Sequence, residues 1–344
     1  MDGQRFRDAR RQLRLSQGDL KDALNRRLGR SYDKPKISRW ENGHEPVPSD
    51  VAQCLGDLVA GRPQHARVIV LANQKGGVGK TTSAINLAYG LSRHASRVLL
   101  IDMDPQATAT VGLLAATSID LYRQGRTMNE VVLGAKPLSE VIVPHETMLE
   151  SGRPLPFDLA GSHIDLAETD SRREPGFDAV LREALEDLRG SYDYVVIDAP
   201  PNLGVLTWMA LAAAEDVIIP VRTEPYDAMG VGLILSTITK VQRRLNPSLR
   251  LAGILPTQYG RRKSVDREVL AHLAQAMADK APVLEPVPES AVFGHAARNG
   301  RIAAEVSASS PAAQVYLRLA AAIAGGKALP VADIPLETRD SGEA

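Results

Sequence analysis

The segment ANQKGGVGKTT, residues 72–82, lies between the apolar run RVIVL and a segment with a helical pattern. Glycines at positions 76, 77 and 79 let the backbone wrap tightly and aim N–H groups at phosphate oxygens, and the following helix adds its positive end. This order of strand, loop and helix is the one that a phosphate-binding P-loop requires. The pattern therefore predicts a nucleotide site formed by Gly76, Gly77, Val78, Gly79, Lys80, Thr81 and Thr82.

Two lysines stand in this loop. In a P-loop, Lys80 reaches the β and γ phosphates of the nucleotide and Thr81 holds Mg²⁺. Lys75 comes five residues earlier, next to Gln74, which occupies the position of the first glycine of the strict motif. Left alone, Lys75 would be one more exposed cation.

Two further apolar runs end in acidic residues. SRVLLIDMDPQATAT, residues 96–110, predicts a strand that ends in Asp102 and Asp104. YDYVVIDAPPNLG, residues 192–204, predicts a strand that ends in Asp198, which is placed like a Walker B acid that holds the Mg²⁺ shell through water. The alternation of such strands with helical segments, for example residues 177–190, predicts an α/β fold. We expect a mostly parallel sheet with helices on both faces and a ligand at the carboxyl ends of the strands.

The run Lys75 to Thr81, KGGVGKT, resembles the deviant Walker A motif of the ParA/MinD family of ATPases. The resemblance covers roughly residues 67–325, and it implies ATP and Mg²⁺ as cofactors. It also implies a role for Lys75, which would reach across a two-fold axis to phosphates bound by the other subunit, so that ATP bridges a sandwich homodimer. By the same resemblance Asp104 would orient the attacking water, with Asp102 supporting it. The implied catalytic residues are thus Lys75, Lys80 and Asp104, with Thr81 and Asp198 at the metal.

A fourth segment, VIIPVRTEPYDAMGV, residues 217–231, predicts a strand followed by a Pro-rich loop. In the ParA/MinD family the corresponding loop packs on the adenine. The residues that this resemblance assigns to the nucleotide are Pro220, Glu224, Pro225 and Tyr226. An ordinary surface loop is the alternative.

Composition and charge limit the class of protein. The chain of 344 residues is long enough for two domains, and its single cysteine, Cys54, excludes an internal disulfide and a CxxC metal site. No apolar run reaches a membrane-spanning length and the N-terminus has no signal-peptide core, so we expect a cytoplasmic protein, and the resemblance to the ParA/MinD family implies association with the nucleoid. Residues 1–40 contain 12 Lys and Arg against 5 Asp and Glu, whereas the whole chain has no net charge. This basic N-terminal segment suggests contact with nucleic acid.

The basic segment shows the pattern of four short helices. LSQGDL, residues 15–20, begins with the capping-box-like pair Ser16 and Asp19, and Ile37 and Trp40 are expected to face inward. LSQGDL and ISRWENG, residues 37–43, resemble the second and recognition helices of the Cro/CI repressor type, with about five extra residues between them. This reading predicts a helix-turn-helix domain; a helical domain that docks on protein is the alternative. The residues that would approach DNA are Gln17, Lys34, Lys36, Ser38 and Arg39.

Among the branches of the ParA/MinD family, the ParA partition branch fits best. One cysteine excludes the paired cysteines of the nitrogenase iron protein, and the acidic, Pro-interrupted end PVADIPLETRDSGEA argues against membrane binding of the MinD type. The resemblance implies that an ATP-bound dimer grips double-stranded DNA non-specifically through the C-terminal half, although Val292 stands where another arginine is expected. The candidate residues are Lys240, Arg243, Arg244, Arg261, Arg262, Lys263, Arg267, Arg298 and Arg301.

The sequence thus predicts four regions: a helix-turn-helix domain at 1–59, a linker at 60–66, an ATPase domain at 67–328 and a flexible acidic tail at 329–344. The implied function is DNA partition driven by slow ATP hydrolysis, accelerated by a ParB-like centromere-binding partner, with operator binding by the N-terminal domain. One alternative is an ATP-gated transcriptional regulator that uses the ATPase domain as a dimerisation switch. A regulator of polar placement or flagellar number on the same fold is another.

Overall fold

Four short helices begin the chain, and a seven-stranded sheet with helices on both sides follows. The computed structural model describes residues 1–13, 15–60, 65–94, 97–149, 151–172, 174–225 and 230–333. Residues 61–64 of the predicted linker and residues 334–344 of the predicted tail lie outside these ranges. Within them, no helix has the length and apolar character needed to span a membrane.

Polar caps hold the first helices at their starts. The four helices are α1 (Gly3–Gln12), α2 (Gln17–Leu28), α3 (Lys34–Glu41) and α4 (Ser49–Ala60). The side chains of Asp2, Ser16 and Asp33 accept backbone N–H bonds at the starts of α1, α2 and α3, where these groups have no partner inside the helix. The predicted capping box of Ser16 and Asp19 is present, and Gly29 ends α2 at φ +62°.

These four helices enclose a hydrophobic core of their own. Phe6, Ile37 and Trp40 are fully buried, as predicted for the last two, and the Phe6 and Trp40 rings meet edge-on with centroids 5.8 Å apart. In the long turn between α2 and α3, the Asn25 side chain bonds both the N–H of Tyr32, at 2.7 Å, and its carbonyl, at 2.9 Å. The Asn25 side chain therefore holds the backbone of this turn in place.

The sheet has the order β3-β4-β2-β5-β1-β6-β7. Neighbouring strands are parallel except for β3, which runs antiparallel to β4. The strands are β1 (Arg67–Leu71), β2 (Val98–Asp102), β3 (Ile142–Val143), β4 (Asp158–Ala160), β5 (Tyr194–Asp198), β6 (Asp216–Arg222) and β7 (Arg250–Thr257). The predicted fold class, a mostly parallel α/β sheet of the P-loop NTPase type, is confirmed.

Helices cover both faces of this sheet. They are α5 (Lys80–Ser92), α6 (Thr108–Leu114), α7 (Thr117–Arg123), α8 (Met128–Val132), α9 (Leu138–Val141), α10 (Val180–Glu186), α11 (Val205–Ala213), α12 (Val231–Arg244), α13 (Ser264–Met277), α14 (Ala291–Arg298), α15 (Ala303–Val306) and α16 (Pro311–Ala324). Two 3₁₀ helices add Ile164–Ser171 and Phe177–Ala179.

Strand β1 shows why its sequence is apolar throughout. Val68 and Val70 belong to the hydrophobic core on one face of the sheet, with α11 and α12, while Ile69 and Leu71 belong to the core on the other face, with α5 and α16. A parallel strand that is covered on both sides needs apolar residues at every position rather than at alternate ones.

The two edges of the sheet are short or covered. At one edge, β3 has only two residues. At the other edge, the segment 282–284 runs beside β7, where the Ile254 N–H donates to the Pro282 carbonyl and the Leu284 N–H donates to the Ile254 carbonyl. The backbone groups of Ile254 that face outward therefore have partners within the chain.

One helix is shorter than the sequence suggested. The predicted helical segment 177–190 forms a 3₁₀ turn at Phe177–Ala179 and then α10, which ends at Glu186. The following residues turn instead, and the carbonyl of Arg189 accepts the backbone N–H of Ala66 just before β1. The Arg189 carbonyl thus pairs with the backbone at the start of β1 instead of with a later turn of the helix.

Candidate nucleotide site

The loop between β1 and α5 depends on two left-handed glycines. Gly77 has φ +73° and Gly79 has φ +85°, a region in which any side chain would strain the backbone. Gly79 immediately precedes α5 and makes no side-chain cap bond, so the first N–H groups of this helix are left for another acceptor. An uncapped helix start that follows a glycine-rich loop is suited to bind an anion such as phosphate.

Lys80 points into the site and Lys75 lies at its mouth. Lys80 is only 6% exposed, and its Nζ donates to the Lys75 carbonyl at 3.0 Å. Burial lowers the pKa of Lys80, while the charges of Asp198 and Asp104 oppose that shift. Lys75 itself is exposed. The two lysines of the loop therefore occupy different environments.

Asn73 fastens the start of the loop to the neighbouring strand. Its Nδ2 donates to the Pro220 carbonyl on β6 at 2.7 Å, and its Oδ1 accepts the Lys75 backbone N–H at 3.2 Å. The sequence reasoning missed this residue. The available signal was an asparagine directly after an apolar strand. Polar side chains at the carboxyl end of a strand in a parallel sheet lie near the ligand.

Asp102 and Asp198 are paired neighbours on β2 and β5. Asp102 is fully buried and accepts hydrogen bonds from the Asp104 N–H at 3.1 Å, the Thr110 N–H at 2.9 Å and the Thr110 hydroxyl at 2.7 Å. Burial nevertheless raises the pKa of Asp102 to about 6, since these bonds only partly offset the lost hydration. Both oxygens of Asp102 thus already accept hydrogen bonds from within the chain, and the residue holds the backbone that follows β2.

Asp198 is the opposite case. Neither of its carboxylate oxygens has a hydrogen-bond donor among the residues that the structure describes, although both are buried. Burial and the adjacent charge of Asp102 raise the pKa of Asp198 well above its ordinary value; the nearby Thr81 hydroxyl opposes this shift without reaching hydrogen-bond geometry. A buried carboxylate without a donor beside a helix N-terminus fits a site for a hard cation such as Mg²⁺.

Asp104 lies in the turn just after β2, at the same end of the sheet. It is 7% exposed, and its Oδ1 accepts the Gln106 backbone N–H at 2.9 Å. That bond fixes the direction of the carboxylate. The negative charge of Asp104 raises the pKa of Lys80, so the two side chains are close enough to interact electrostatically.

The loop after β6 differs from the expectation. Pro220 was predicted to belong to the adenine loop, but it is a buried residue of β6 paired with Leu255 of β7, and its carbonyl is taken by Asn73. The prediction of Pro220 as a loop residue is therefore wrong. Glu224 and Pro225 are exposed just after the strand, and Glu224 forms an ion pair with Arg222. Tyr226 lies outside the described residues.

Two residues at the end of β7 hold the P-loop from the other side, and the sequence reasoning missed both. The Thr257 hydroxyl donates to the Val78 carbonyl at 2.8 Å, and Gln258 Nε2 donates to the Gly77 carbonyl at 2.9 Å. Their position at the carboxyl end of a strand near β1 was the available signal.

The candidate DNA contacts of the C-terminal half lie on separate elements. Lys240, Arg243 and Arg244 are exposed near the end of α12, Arg261 and Arg262 are exposed between β7 and α13, and Arg267 and Arg298 are exposed on α13 and α14. Lys263 pairs with Glu289 at 2.9 Å, and Arg301 is half-buried. The exposed members can meet a polyanion, whereas Lys263 would first have to leave its carboxylate.

The candidate contacts of the N-terminal helices are partly engaged inside the chain. Gln17 donates to the buried Glu41 at 2.8 Å, and both Lys36 and Arg39 pair with Glu45. Ser38 accepts a bond from Asn42 at 3.3 Å, while Lys34 is exposed at the start of α3. Glu45 therefore reduces the positive charge that α3 presents.

A cavity of about 460 Å³ lies away from these residues, between α2, the end of α5 and the segment 145–158. It opens at the amino ends of the strands, where Val98 and Asp158 begin β2 and β4. Ligands of parallel α/β sheets bind at the carboxyl ends. This cavity is thus not the candidate nucleotide site.

Comparison with known proteins agrees with this geometry. An AAA domain family model matches residues 66–251. The chromosome-partitioning ATPase Soj of Thermus thermophilus is 41% identical over 256 residues, which cover 74% of this chain and 94% of Soj. The chain belongs to the ParA/Soj family of ATPases. A second ParA/Soj relative, the chromosome partitioning protein ParA of Caulobacter vibrioides, is 37% identical over 257 residues, covering 74% of this chain and 92% of its own.

A solved structure extends the comparison to three dimensions. The cobyrinic acid a,c-diamide synthase of Mycobacterium smegmatis, with bound ATP analog and magnesium, has a TM-score of 0.64 and 35% identity, covering 77% of this chain and 99% of that one. The matched family region starts at residue 66, so the four N-terminal helices lie outside it. The ParA/Soj assignment therefore concerns the sheet domain, which is a P-loop ATPase.

Proposed function

We propose that the protein is an ATP-dependent DNA partition ATPase. It binds ATP and Mg²⁺ in the P-loop, forms an ATP-sandwich homodimer, and holds double-stranded DNA non-specifically through its C-terminal half. Its N-terminal domain, residues 1–59, reads an operator. The observation that carries this proposal is the contrast between the two lysines of one loop: Lys80 is buried in the site, while Lys75 is exposed at its mouth. In this proposal, the exposed Lys75 reaches the phosphates that are bound by the other subunit.

The residues divide the chemistry among them. Thr81 and Asp198 would hold Mg²⁺, which supplies positive charge to the phosphate oxygens. Lys80 exchanges the Lys75 carbonyl for the β and γ phosphates and stabilises the negative charge of the transferring phosphoryl group. Asp104 orients the attacking water. Since no strong general base faces the site among the residues that the structure describes, we expect hydrolysis by the protein alone to be slow.

Slow hydrolysis suits a timed release from DNA. ATP keeps the dimer, and with it the DNA grip, until a partner accelerates turnover. A ParB-like protein bound at a centromere-like site is that partner in this proposal. Cargo carrying the partner then follows the remaining DNA-bound ATPase. The relatives named chromosome-partitioning proteins support this reading.

An ATP-gated transcriptional regulator is the second candidate. It is favoured by the separate hydrophobic core of α1 to α4, which gives the N-terminal helices a fold that does not borrow residues from the sheet. In that case the N-terminal domain is the only DNA reader and the ATPase domain switches dimerisation.

The test uses a variant lacking residues 1–60 beside the full chain. Each is titrated with random-sequence duplex DNA in the presence of ATP, of ADP and of no nucleotide, at one stated low salt, with light scattering for the mass. We expect the shortened protein to bind DNA with ATP only, with a log–log salt slope of about −0.9 per phosphate neutralised. Lys80→Ala is the control and should bind in no state. DNA binding by the full chain alone would instead establish the switchable regulator.

A further inference from the structure

The end of β7 connects the P-loop to the basic loop, defined here as residues 260–263. Thr257, the last residue of the strand, donates to the Val78 carbonyl, and the next residue, Gln258, donates to the Gly77 carbonyl at 2.9 Å. Two residues later the chain enters the basic loop with its exposed arginines. The phosphate-binding loop and the basic loop are therefore separated by one short stretch of backbone.

Gln258 has an unusual backbone conformation. Its φ is +54°, in the left-handed region that a residue with a side chain rarely adopts. The Tyr259 N–H, which follows, donates to the Val287 carbonyl at 3.0 Å, and the Gln258 side chain is held by Gly77, which is left-handed itself at φ +73°. The orientation of the Gly77 peptide and the conformation of Gln258 are thus fixed by one hydrogen bond.

The basic loop is itself a rigid unit. The Gly260 N–H donates to the buried Asp266 at 2.6 Å, and the Thr223 hydroxyl donates to the same carboxylate oxygen at 2.9 Å. Within the loop, the Lys263 N–H donates to the Gly260 carbonyl at 2.7 Å. Because one bond closes the loop on itself and another ties Gly260 to Asp266 in the first turn of α13, a shift at Gln258 would move the basic loop together with the start of α13.

We propose that Gln258 is a positioning residue that couples the phosphate-binding loop to the basic loop. A nucleotide that reorients the Gly77 peptide alters the bond to Gln258, and the loop that carries Arg261 and Arg262 moves with it. The DNA grip of this loop then depends on which nucleotide is bound. This inference rests on the proposed function, since it specifies how nucleotide-dependent DNA binding arises.

The test compares variants of full-length protein that differ only in the donor. Gln258→Glu keeps the size of the side chain but removes its N–H groups, and Gln258→Ala removes the side chain without adding charge. Gln275→Glu is the matched control, because Gln275 is exposed on α13 and its substitution adds the same charge. For each protein, the affinity for a fluorescent ATP analogue and the DNA Kd with ATP and with ADP are measured.

With each protein measured at saturating nucleotide, we expect both Gln258 variants to lower the ratio of the DNA Kd in ADP to that in ATP about three- to tenfold, the value of one net hydrogen bond. Gln275→Glu should keep the wild-type ratio. A purely structural defect would weaken DNA binding equally in both nucleotide states and leave the ratio unchanged, which would overturn the inference. A wild-type protein without any ATP–ADP difference would refute the proposed function together with it.

Discussion

Asp102 and Asp198 occupy paired positions on neighbouring strands, but only Asp102 has donors for its oxygens. A buried polar group without a partner costs stability, so a protein keeps one only where another gain outweighs the loss. In the proposed function, that gain at Asp198 is a Mg²⁺ ion bound beside the P-loop. We therefore expect Asp198 to lower the stability of the metal-free protein and to raise the stability of the protein with Mg²⁺ bound.

This contrast gives a prediction for Asp198→Asn. Without metal, the variant should be more stable than wild type by about 1–2 kcal/mol, because an amide costs less to bury than a carboxylate and does not repel Asp102. With Mg²⁺ and ATP, the same variant should lose most of the increase in Tm that wild type shows. Urea and thermal unfolding are followed by the fluorescence of Trp208, with Trp40 replaced by Phe in every protein. Asp279→Asn, at an exposed position, is the control, and a metal-free variant less stable than wild type would contradict the argument.

At the scale of elements, features that depend on residues close in the sequence could be predicted, whereas contacts between distant segments could not. The Ser16 capping box and the fully apolar β1 follow from periodicity and from the hydrogen-bonding needs of helix starts, both of which are local. The roles of Asn73 and Gln258 depend on which strands lie side by side, and that order is not written in either segment. Pro220 failed for the same reason: it looked like a loop residue until its strand neighbours were known.

Glu41 is another contact between elements that the sequence did not announce. It is 5% exposed at the end of α3, and it accepts bonds from Arg10 of α1 and Gln17 of α2. Burial alone would raise the pKa of Glu41, but these bonds and the charges of Arg10 and Arg7 lower it below its ordinary value. One carboxylate therefore ties three helices of the N-terminal domain together.

We expect Glu41→Gln to destabilise the N-terminal domain by about 1–3 kcal/mol at pH 7, since charge-assisted bonds to arginine are lost. A folded pKa below the unfolded value of 4.5 means that the stabilisation is complete above pH 4.5 and is lost as the pH falls through the folded value. The difference between wild type and variant should therefore shrink below that pH. Urea unfolding followed by Trp40 fluorescence, with Trp208 replaced by Phe, measures it. Asp57→Asn on the exposed side of α4 should change stability by less than about 0.5 kcal/mol, and a constant wild-type–variant difference across this pH range would argue against the linkage.

At the scale of the whole molecule, the fold class followed from the order of motifs, because strands alternating with helices allow few other arrangements. The candidate site could be predicted from the same order as far as the P-loop and the acids at the ends of β2 and β5. What the order could not give is how the end of β7 reaches the P-loop, or how Glu45 neutralises part of α3. Those features are set by packing in three dimensions.

A prediction for Lys75 concerns the whole molecule, because the proposed partner of Lys75 is another copy of the chain. Lys75→Ala should bind ATP with an affinity close to that of wild type but stay monomeric with ATP, and should lose ATP-dependent DNA binding. Lys280→Ala, which removes an exposed lysine just beyond α13, is the control and should dimerise normally. Light scattering with ATP and with ADP distinguishes the monomer from the dimer for each variant. A Lys75→Ala protein that still forms a dimer with ATP would remove the basis for the sandwich.

The edges of the sheet bear on how many copies can gather in one place. Unpaired edge strands are templates on which further chains can add, and such growth ends in fibres that do not dissolve. Here β3 offers two residues, and at β7 the backbone of Ile254 is already engaged with segment 282–284. If the proposed function holds, copies that gather on DNA therefore find no unpaired backbone at β3 beyond two residues and none at Ile254, so the cluster can disperse once its ATP is hydrolysed.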